Sequence, residues 1–415
     1  MTDTSLGLPQ DQLRAQAPSA GYQLLAGVRV LDLTSSIAGP YGTMLLADLG
    51  ADVVKVERAG SGDDARAWGP PFLDGFGLWF NSVNRNKRSI DLDLKSDSDR
   101  QLLQSLVTRC DVVMTSLRED VMARLGVSFE QARKLRPDII HCSITGYGLT
   151  GPKAALPGYD LIAEGFSSVM DLTGEPDSPP QKVGTAAADL LAGMDAAFAV
   201  VAALFDRDKT GRGHQIDVSL AESMTRFMTP KLVSYLGSGD LQRRSGGRDS
   251  VIAVYQVFQT ADDPIVLALG NDGIFQRFCG AAGLPQLAED PDYATNRDRR
   301  DRREVLVAKI QEVLLTRTAR EWLDLCSQVD VPAGPINRVE DVVADDHLQA
   351  RSMLFRIPTE GGGLPQVGTG WHLDGEPNGY RLPPPRLGAH RDDVLAEWLT
   401  DIPTSDDQID QETTS

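Results

Sequence analysis

Between Val28 and Leu220, short apolar runs alternate with stretches of helical period, and this alternation restricts the fold more than any other feature of the 415 residues. Val28–Leu33 reads as a strand, Gly39-Pro40 as a turn, Tyr41–Leu49 as a helix and Asp52–Glu57 as a second strand, which together make a βαβ unit. The pattern recurs. Ser89–Leu92 is extended, Ser98–Arg109 helical, Val112–Met114 extended, and Ile139–Gly146 a buried strand ending in glycine. Strands joined by helical crossovers run parallel, so the pattern predicts an α/β fold with a doubly wound parallel sheet and helices on both faces. Ligands of such sheets bind where the strands end.

A long apolar helix is expected from Leu190 to about Arg207, stopped by Lys209-Thr-Gly-Arg-Gly213, with His214–Leu220 as the next strand. The polar, glycine-containing Leu241–Ser250 then separates two regions of different character. Tyr255–Thr260 and Ile265–Leu269 read as paired strands around Asp262-Asp263, followed by helices near Gly273–Ala282 and Arg303–Leu315, a smaller α+β domain. The expected organisation is a flexible N-terminus (1–22), the first part of the large Rossmann-like domain (23–225), a linker (226–250), the small domain (251–330), a return segment (331–400) and a disordered acidic tail (401–415). The return is expected to enter the first core through Val331–Ile336. No internal repeat is evident.

The formal charge of −18 argues against nucleic acid or an anionic membrane as partner, since counterion release needs a basic surface. The polar stretch Met1–Gly21 lacks a secretory pattern, and no run of about eighteen uninterrupted apolar residues occurs, so a soluble, cytoplasmic protein is expected. Cys110, Cys142, Cys279 and Cys326 form no Cys-x-x-Cys pair, and His141, His214, His347, His372 and His390 show no metal-ligand spacing. Reduced thiols and no metal are expected. His141 and His214 read as structural.

Asp189 is the carboxylate most suited to chemistry. It stands in Lys182-Val-Gly-Thr-Ala-Ala-Ala-Asp189-Leu-Leu-Ala-Gly193, among small apolar residues where a helix begins. It is either an N-cap or a nucleophile held ionised by the helix dipole, and the residues alone do not choose. Lys55, Arg58, Arg66, Arg85, Lys87, Arg88 and Lys95 form a basic stretch that suits an anion and equally suits a solvated face. The loop Ser35-Ser-Ile-Ala-Gly-Pro-Tyr41 is small enough to let backbone N–H groups approach a phosphate, or is an ordinary βα turn. It is neither a dinucleotide fingerprint nor a Walker loop.

Seven short elements in order resemble the class III coenzyme A transferases, which include formyl-CoA transferase and a carnitine-related transferase, and their relatives the α-methylacyl-CoA racemases. They are Val30-Leu-Asp-Leu33 with Ala38-Gly-Pro40, Leu46-Ala-Asp-Leu-Gly-Ala-Asp-Val-Val-Lys-Val-Glu57, Asn84-Arg-Asn-Lys-Arg-Ser-Ile90, Gly146-Tyr-Gly148, Asp189-Leu-Leu-Ala-Gly193, Thr210-Gly-Arg-Gly213 and Val331-Pro-Ala-Gly-Pro335. The resemblance spans about Gly27 to Trp398.

It implies that Asp189 is the catalytic nucleophile, passing through a mixed acyl anhydride and an aspartyl-CoA thioester. Coenzyme A and acyl-CoA would be substrates, with no tightly bound cofactor. It also implies CoA contacts at Arg58 and Lys95 near the phosphorylated adenosine, Leu92 beside the base, Arg124 near the pyrophosphate and Ala38 near the thioester. An interlocked homodimer follows from the same likeness, with the active site between the large domain of one subunit and the small domain of the other. Ser245–Ser250 and Gly270-Asn-Asp272 would then lie near the acyl pocket. Two departures stand out. Thr115-Ser-Leu-Arg-Glu-Asp120 replaces the family's Glu-Asn-Phe-x-Pro-Gly, affecting adenine contacts at Ser116 and Leu117, and Ile37 stands where a polar residue is common.

Two alternatives are an epimerase of the racemase type and a catalytically silent CoA-binding protein. The racemases place a histidine in a Gly-His-Asp element to move a proton on the second face of the α-carbon. Here the element is Gly158-Tyr159-Asp160, and a tyrosine titrating near ~10 is a poor base at neutral pH. The expected reaction is therefore transfer of CoA from an acyl-CoA to a carboxylic acid.

Overall fold

The computed structural model describes residues 8–360 and 362–399. The chain divides into two compact units, the first holding residues up to Ser167, Gly184–Met228 and residues from Val343 onward, the second Ser168–Val183 and Thr229–Val342.

The first unit is built on six parallel strands: β1 (Arg29–Leu33), β2 (Asp52–Arg58), β3 (Lys87–Leu92), β4 (Val112–Thr115), β5 (Ile140–Thr145) and β6 (His214–Ser219). Their order across the sheet is β3-β2-β1-β4-β5-β6, all pairs parallel. This is the doubly wound order, in which the winding reverses between β1 and β4. Strands β4 and β5 are almost wholly buried, as expected where helices cover both faces of a parallel sheet.

Helix α1 (Ala38–Asp48) follows β1, and α2 (Asp97–Val107) follows β3. Helix α3 (Asp160–Phe166) precedes the 24-residue α4 (Ala187–Thr210), and α5 (Leu220–Phe227) follows β6. By length and composition alone α4 is apolar enough to cross a bilayer. In the fold its small residues Ala188, Ala192, Gly193 and Ala196 are buried. Gly193 is needed there: a Cβ would lie 2.5 Å from Ala38 O, so α1 and α4 touch through backbone. Gly211 ends α4 with a left-handed C-cap, as the Gly-Arg-Gly turn predicted.

The second unit pairs β7 (Tyr255–Phe258) antiparallel with β8 (Ile265–Ala268), and β9 (Ala333–Pro335) antiparallel with β8. Three boundary expectations need correction. The expected linker 226–250 contains helix α6 (Thr229–Ser238) and a loop that joins the sheet edge, with Val257 N donating to Gly247 O and Asp249 N to Tyr255 O. The return segment does not enter the first core at Val331, because Ala333–Pro335 satisfies its backbone on β8. The N-terminal stretch is tied down from Leu13 onward: Arg356 Nε donates to Leu13 O, Gln16 N donates to Arg356 O and Ser19 N to Tyr380 O, and the Tyr22 ring stacks on Trp371. The acidic tail 401–415 lies outside the described residues.

Candidate active site

The carboxyl ends of β1, β4 and β5 open into a cavity of about 650 Å³ at the point where the winding reverses. Ser35, Ser36, Ala38 and Gly39 after β1 line one side, Ser116 and Arg118–Asp120 after β4 another, and Gly146, Tyr159 and Asp189 the rest. A switch-point crevice is where the physics of an open α/β sheet places a ligand.

Asp189 is the third residue of α4, not its cap. The cap comes from elsewhere in the chain: Asp160 Oδ1 accepts from Ala188 N at 2.8 Å and from Asp189 N at 3.4 Å. Asp160 is carried there by a tight crossing of two glycine backbones, since a Cβ on Gly146 would sit 2.6 Å from Gly158 Cα. With the helix N–H groups served by Asp160, the Asp189 carboxylate makes no hydrogen bond or ion pair among the described residues. It is left facing the cavity.

Its ionisation departs from expectation in sign. Burial, and secondarily the neighbouring Asp160 charge, push the Asp189 pKa up from 3.8 to about 7. The helix dipole, worth roughly 0.3–1 kcal/mol, is too weak to hold the carboxylate charged against desolvation and a like charge together. At neutral pH the side chain is poised between acid and carboxylate.

The implied CoA contacts separate. Ala38 shares the cavity with Asp189. Arg58 is exposed, its Nε donating to Gly62 O and its guanidinium meeting Asp64. Lys95 is exposed just before α2, and Arg124 is exposed with its Nε donating to Asp120 O. None of these three cations lines the Asp189 cavity. The Leu92 side chain is 1 % exposed within the core formed by Leu31, Val54 and Ile90, so any contact with a base at this position falls to its backbone. Ser116 lines the cavity, whereas Leu117 packs against that core.

The basic stretch also needs correcting. Lys55 pairs with Asp63 at 2.9 Å, Arg66 with Glu57 at 2.6 Å, Arg85 with Asp48 at 2.6 Å, Lys87 with Asp32 at 3.2 Å and Arg88 with Asp52 at 2.6 Å. These cations are consumed inside the fold, and of the seven only Arg58 and Lys95 are exposed. His141 is buried with Nε2 3.3 Å from Val127 O, as a core histidine should be, and His214 Nε2 lies 2.8 Å from Asp206. Among the described residues no His, Cys, Asp and Glu group could hold a metal.

Asp160 shapes the surroundings of Asp189, and the sequence did not single it out for this. Its position in Gly158-Tyr159-Asp160 was visible, but its capping of a helix that starts 27 residues later, at Ala187, is a tertiary fact. Tyr159 lines the same cavity and is 64 % exposed.

A doubly wound sheet whose switch-point cavity presents a partly buried carboxylate, unpartnered among the described residues, has the layout of an enzyme site. Residues 25–391 match CoA-transferase family III, and the chain belongs to that family; it is a CoA-transferase acting on CoA thioesters. It is 40 % identical over 387 residues to a succinate–glutarate CoA-transferase of Agrobacterium fabrum, covering 91 % of this chain and 96 % of the relative. An acetyl-CoA:oxalate CoA-transferase of Acetobacter aceti is 37 % identical over 364 residues, covering 88 % of this chain and 91 % of that one. The crystal structure of a CaiB/BaiF family protein from Brucella suis has a TM-score of 0.80 at 37 % identity, over 91 % of this chain and 100 % of the other.

Proposed function

We propose that the protein moves CoA from an acyl-CoA donor to a carboxylic acid through covalent intermediates on Asp189, and that the acids are dicarboxylic. The observation that carries the mechanism is a partly buried carboxylate, without a hydrogen-bond or ion-pair partner among the described residues, on the wall of a switch-point cavity. Such an anion is more nucleophilic than one stabilised by hydrogen bonds.

In the first step a carboxylate oxygen of Asp189 attacks the thioester carbonyl carbon. The C–S bond breaks, CoA leaves as thiolate, and a mixed anhydride remains. The thiolate then attacks the aspartyl carbonyl, expelling the donor acid as carboxylate and leaving an aspartyl-CoA thioester. The acceptor carboxylate attacks that thioester, CoA leaves again, and its return to the acceptor's carbonyl regenerates the Asp189 carboxylate. No net proton or electron is exchanged. The thioester's energy passes from one acid to the other.

The dicarboxylic assignment is supported by a relative named for succinate and glutarate and by a second whose name joins acetyl-CoA, a monocarboxylic donor, with the dicarboxylic acid oxalate. Retention of Arg58, Lys95 and Arg124 on the surface supports their use as phosphate donors for CoA. The homodimer remains part of the proposal, supported by the exposed apolar face that Met194, Phe198 and Phe205 make on α4. A cytoplasmic setting fits four free, buried thiols.

The test is turnover. Incubation with succinyl-CoA and a panel of mono- and dicarboxylic acids should yield the CoA ester of a dicarboxylic acceptor, read by mass spectrometry, with Asp189→Asn inactive. Exchange of the α-proton for solvent deuterium without a new CoA ester would instead establish the epimerase.

A further inference from the structure

Beneath the loop that lines the Asp189 cavity lie three fully buried charges. Asp32 on β1, Lys55 on β2 and Lys87 on β3 are each 0 % exposed. Asp32 aligns with Lys55 across the sheet, and Lys87 with Val53, two residues earlier, so all three share one sheet face. Every polar atom of this set is spent on the loop or on its anchors. Lys87 Nζ donates to Pro40 O at 2.8 Å, to Asn84 Oδ1 at 2.8 Å and pairs with Asp32. Lys55 Nζ donates to Thr34 O at 2.9 Å and pairs with Asp63, whose Oδ1 accepts from Ser36 N at 3.0 Å. Asp32 accepts from Thr34 N, Thr34 Oγ1 and Thr43 Oγ1.

The segment Thr34–Pro40 is thereby held at Thr34, Ser36 and Pro40. On its other side Ala38 O abuts Gly193, one helical turn past Asp189 on the same face of α4. Buried ion pairs are poor devices for stability, since apolar residues of similar volume usually serve as well or better. Their hydrogen bonds do fix geometry, and here the geometry fixed is that of a cavity wall against the helix bearing the nucleophile.

We propose that Lys87, with Asp32 and Lys55, is a positioning residue of the transfer reaction, setting Ala38-Gly39 against the first turns of α4 so that the thioester meets Asp189. This role rests on the function proposed above.

The test compares Lys87→Met with the double variant Asp32→Asn/Lys87→Met. The single variant strands a buried carboxylate and should lower the thermal midpoint. Neutralising both partners should return the midpoint to near wild type. It should not restore chemistry: kcat for CoA transfer should stay on the order of tenfold or more below wild type, with KM for acyl-CoA changed by less than about twofold. A double variant with recovered midpoint and wild-type kcat overturns the positioning role. If that variant does not fold, Thr43→Val removes one hydrogen bond to Asp32 without altering charge. A severalfold fall in its kcat at unchanged KM supports the role, and an unaltered kcat overturns it. Because each rate is read relative to wild type, an acyl adduct found elsewhere than Asp189 would defeat the covalent proposal without disturbing this comparison.

Discussion

Replacing the nucleophile should make the protein more stable, and by an amount that depends on pH in a defined way. Asp189 has its pKa raised from 3.8 to about 7, so folding disfavours its charged form. Below pH 3.8 the group is protonated in both folded and unfolded chains, and it contributes nothing through ionisation. As pH rises from 3.8 to about 7 the unfolded chain ionises first, and the native state loses about 1.4 kcal/mol per pH unit relative to a neutral side chain. Above about pH 7 the loss is complete, at about 4 kcal/mol. Asp189→Asn is nearly isosteric and leaves Asp160 to cap α4, so it removes this penalty alone. Thermal unfolding of both proteins from pH 4.5 to 8.5 should show the variant more stable by on the order of 5 °C at the alkaline end, at the entropy change of a chain this size. The gap should shrink to about 1 °C at pH 4.5. Titrations of groups not coupled to Asp189 cancel in the difference. A gap independent of pH, or a variant less stable than wild type at pH 8.5, would refute a partly buried, desolvated carboxylate at this position.

The same pKa predicts that kcat/KM rises with pH through an apparent value of about 7, and removal of the neighbouring charge in Asp160→Asn should move that limb to lower pH while the amide oxygen keeps the cap. An unmoved limb would remove Asp160 from the account. Arg58→Ala and Arg124→Ala should leave the thermal midpoint unchanged, since both side chains are exposed, but raise KM for acyl-CoA by roughly fivefold each if they meet phosphates, corresponding to about 1 kcal/mol per lost contact. Gly193→Ala puts a methyl 2.5 Å from Ala38 O, so unfolding should register a loss of about 1–3 kcal/mol and steady-state kinetics a fall in kcat on the order of 100-fold.

The parts of the fold legible in the sequence were those set by local pattern. Four of the six strands of the sheet were marked by apolar runs, and the more polar Lys87–Leu92 and His214–Ser219 by their place in the alternation; observed bounds such as Asp52–Arg58 and Ile140–Thr145 fall within two residues of expectation. Asp189 stood out because a lone carboxylate among small apolar residues is conspicuous, and the structure puts it on the wall of the switch-point cavity. What pattern does not encode is pairing over distance. Lys87 finds Asp32 55 positions away and Arg85 finds Asp48 37 positions away, which turned an apparent anion-binding stretch into internal ion pairs. Ala333–Pro335 carried an ordinary return signal, yet hydrogen bonding to β8 claimed it for the second unit. The residues alone left Asp189 open between cap and nucleophile for the same reason: Asp is a good cap by type, but the N–H groups at the start of α4 are met by Asp160, which arrives from another element.

The most direct measurement of the central claim is covalent capture of the nucleophile. The wild-type protein is incubated with a turned-over acyl-CoA, treated with hydroxylamine and digested, and the peptide containing Asp189 is examined by mass spectrometry. A hydroxamate at Asp189, absent without acyl-CoA and absent in Asp189→Asn, is the predicted result. Full transfer activity with an unmodified Asp189 peptide, or a hydroxamate on another carboxylate, would contradict it.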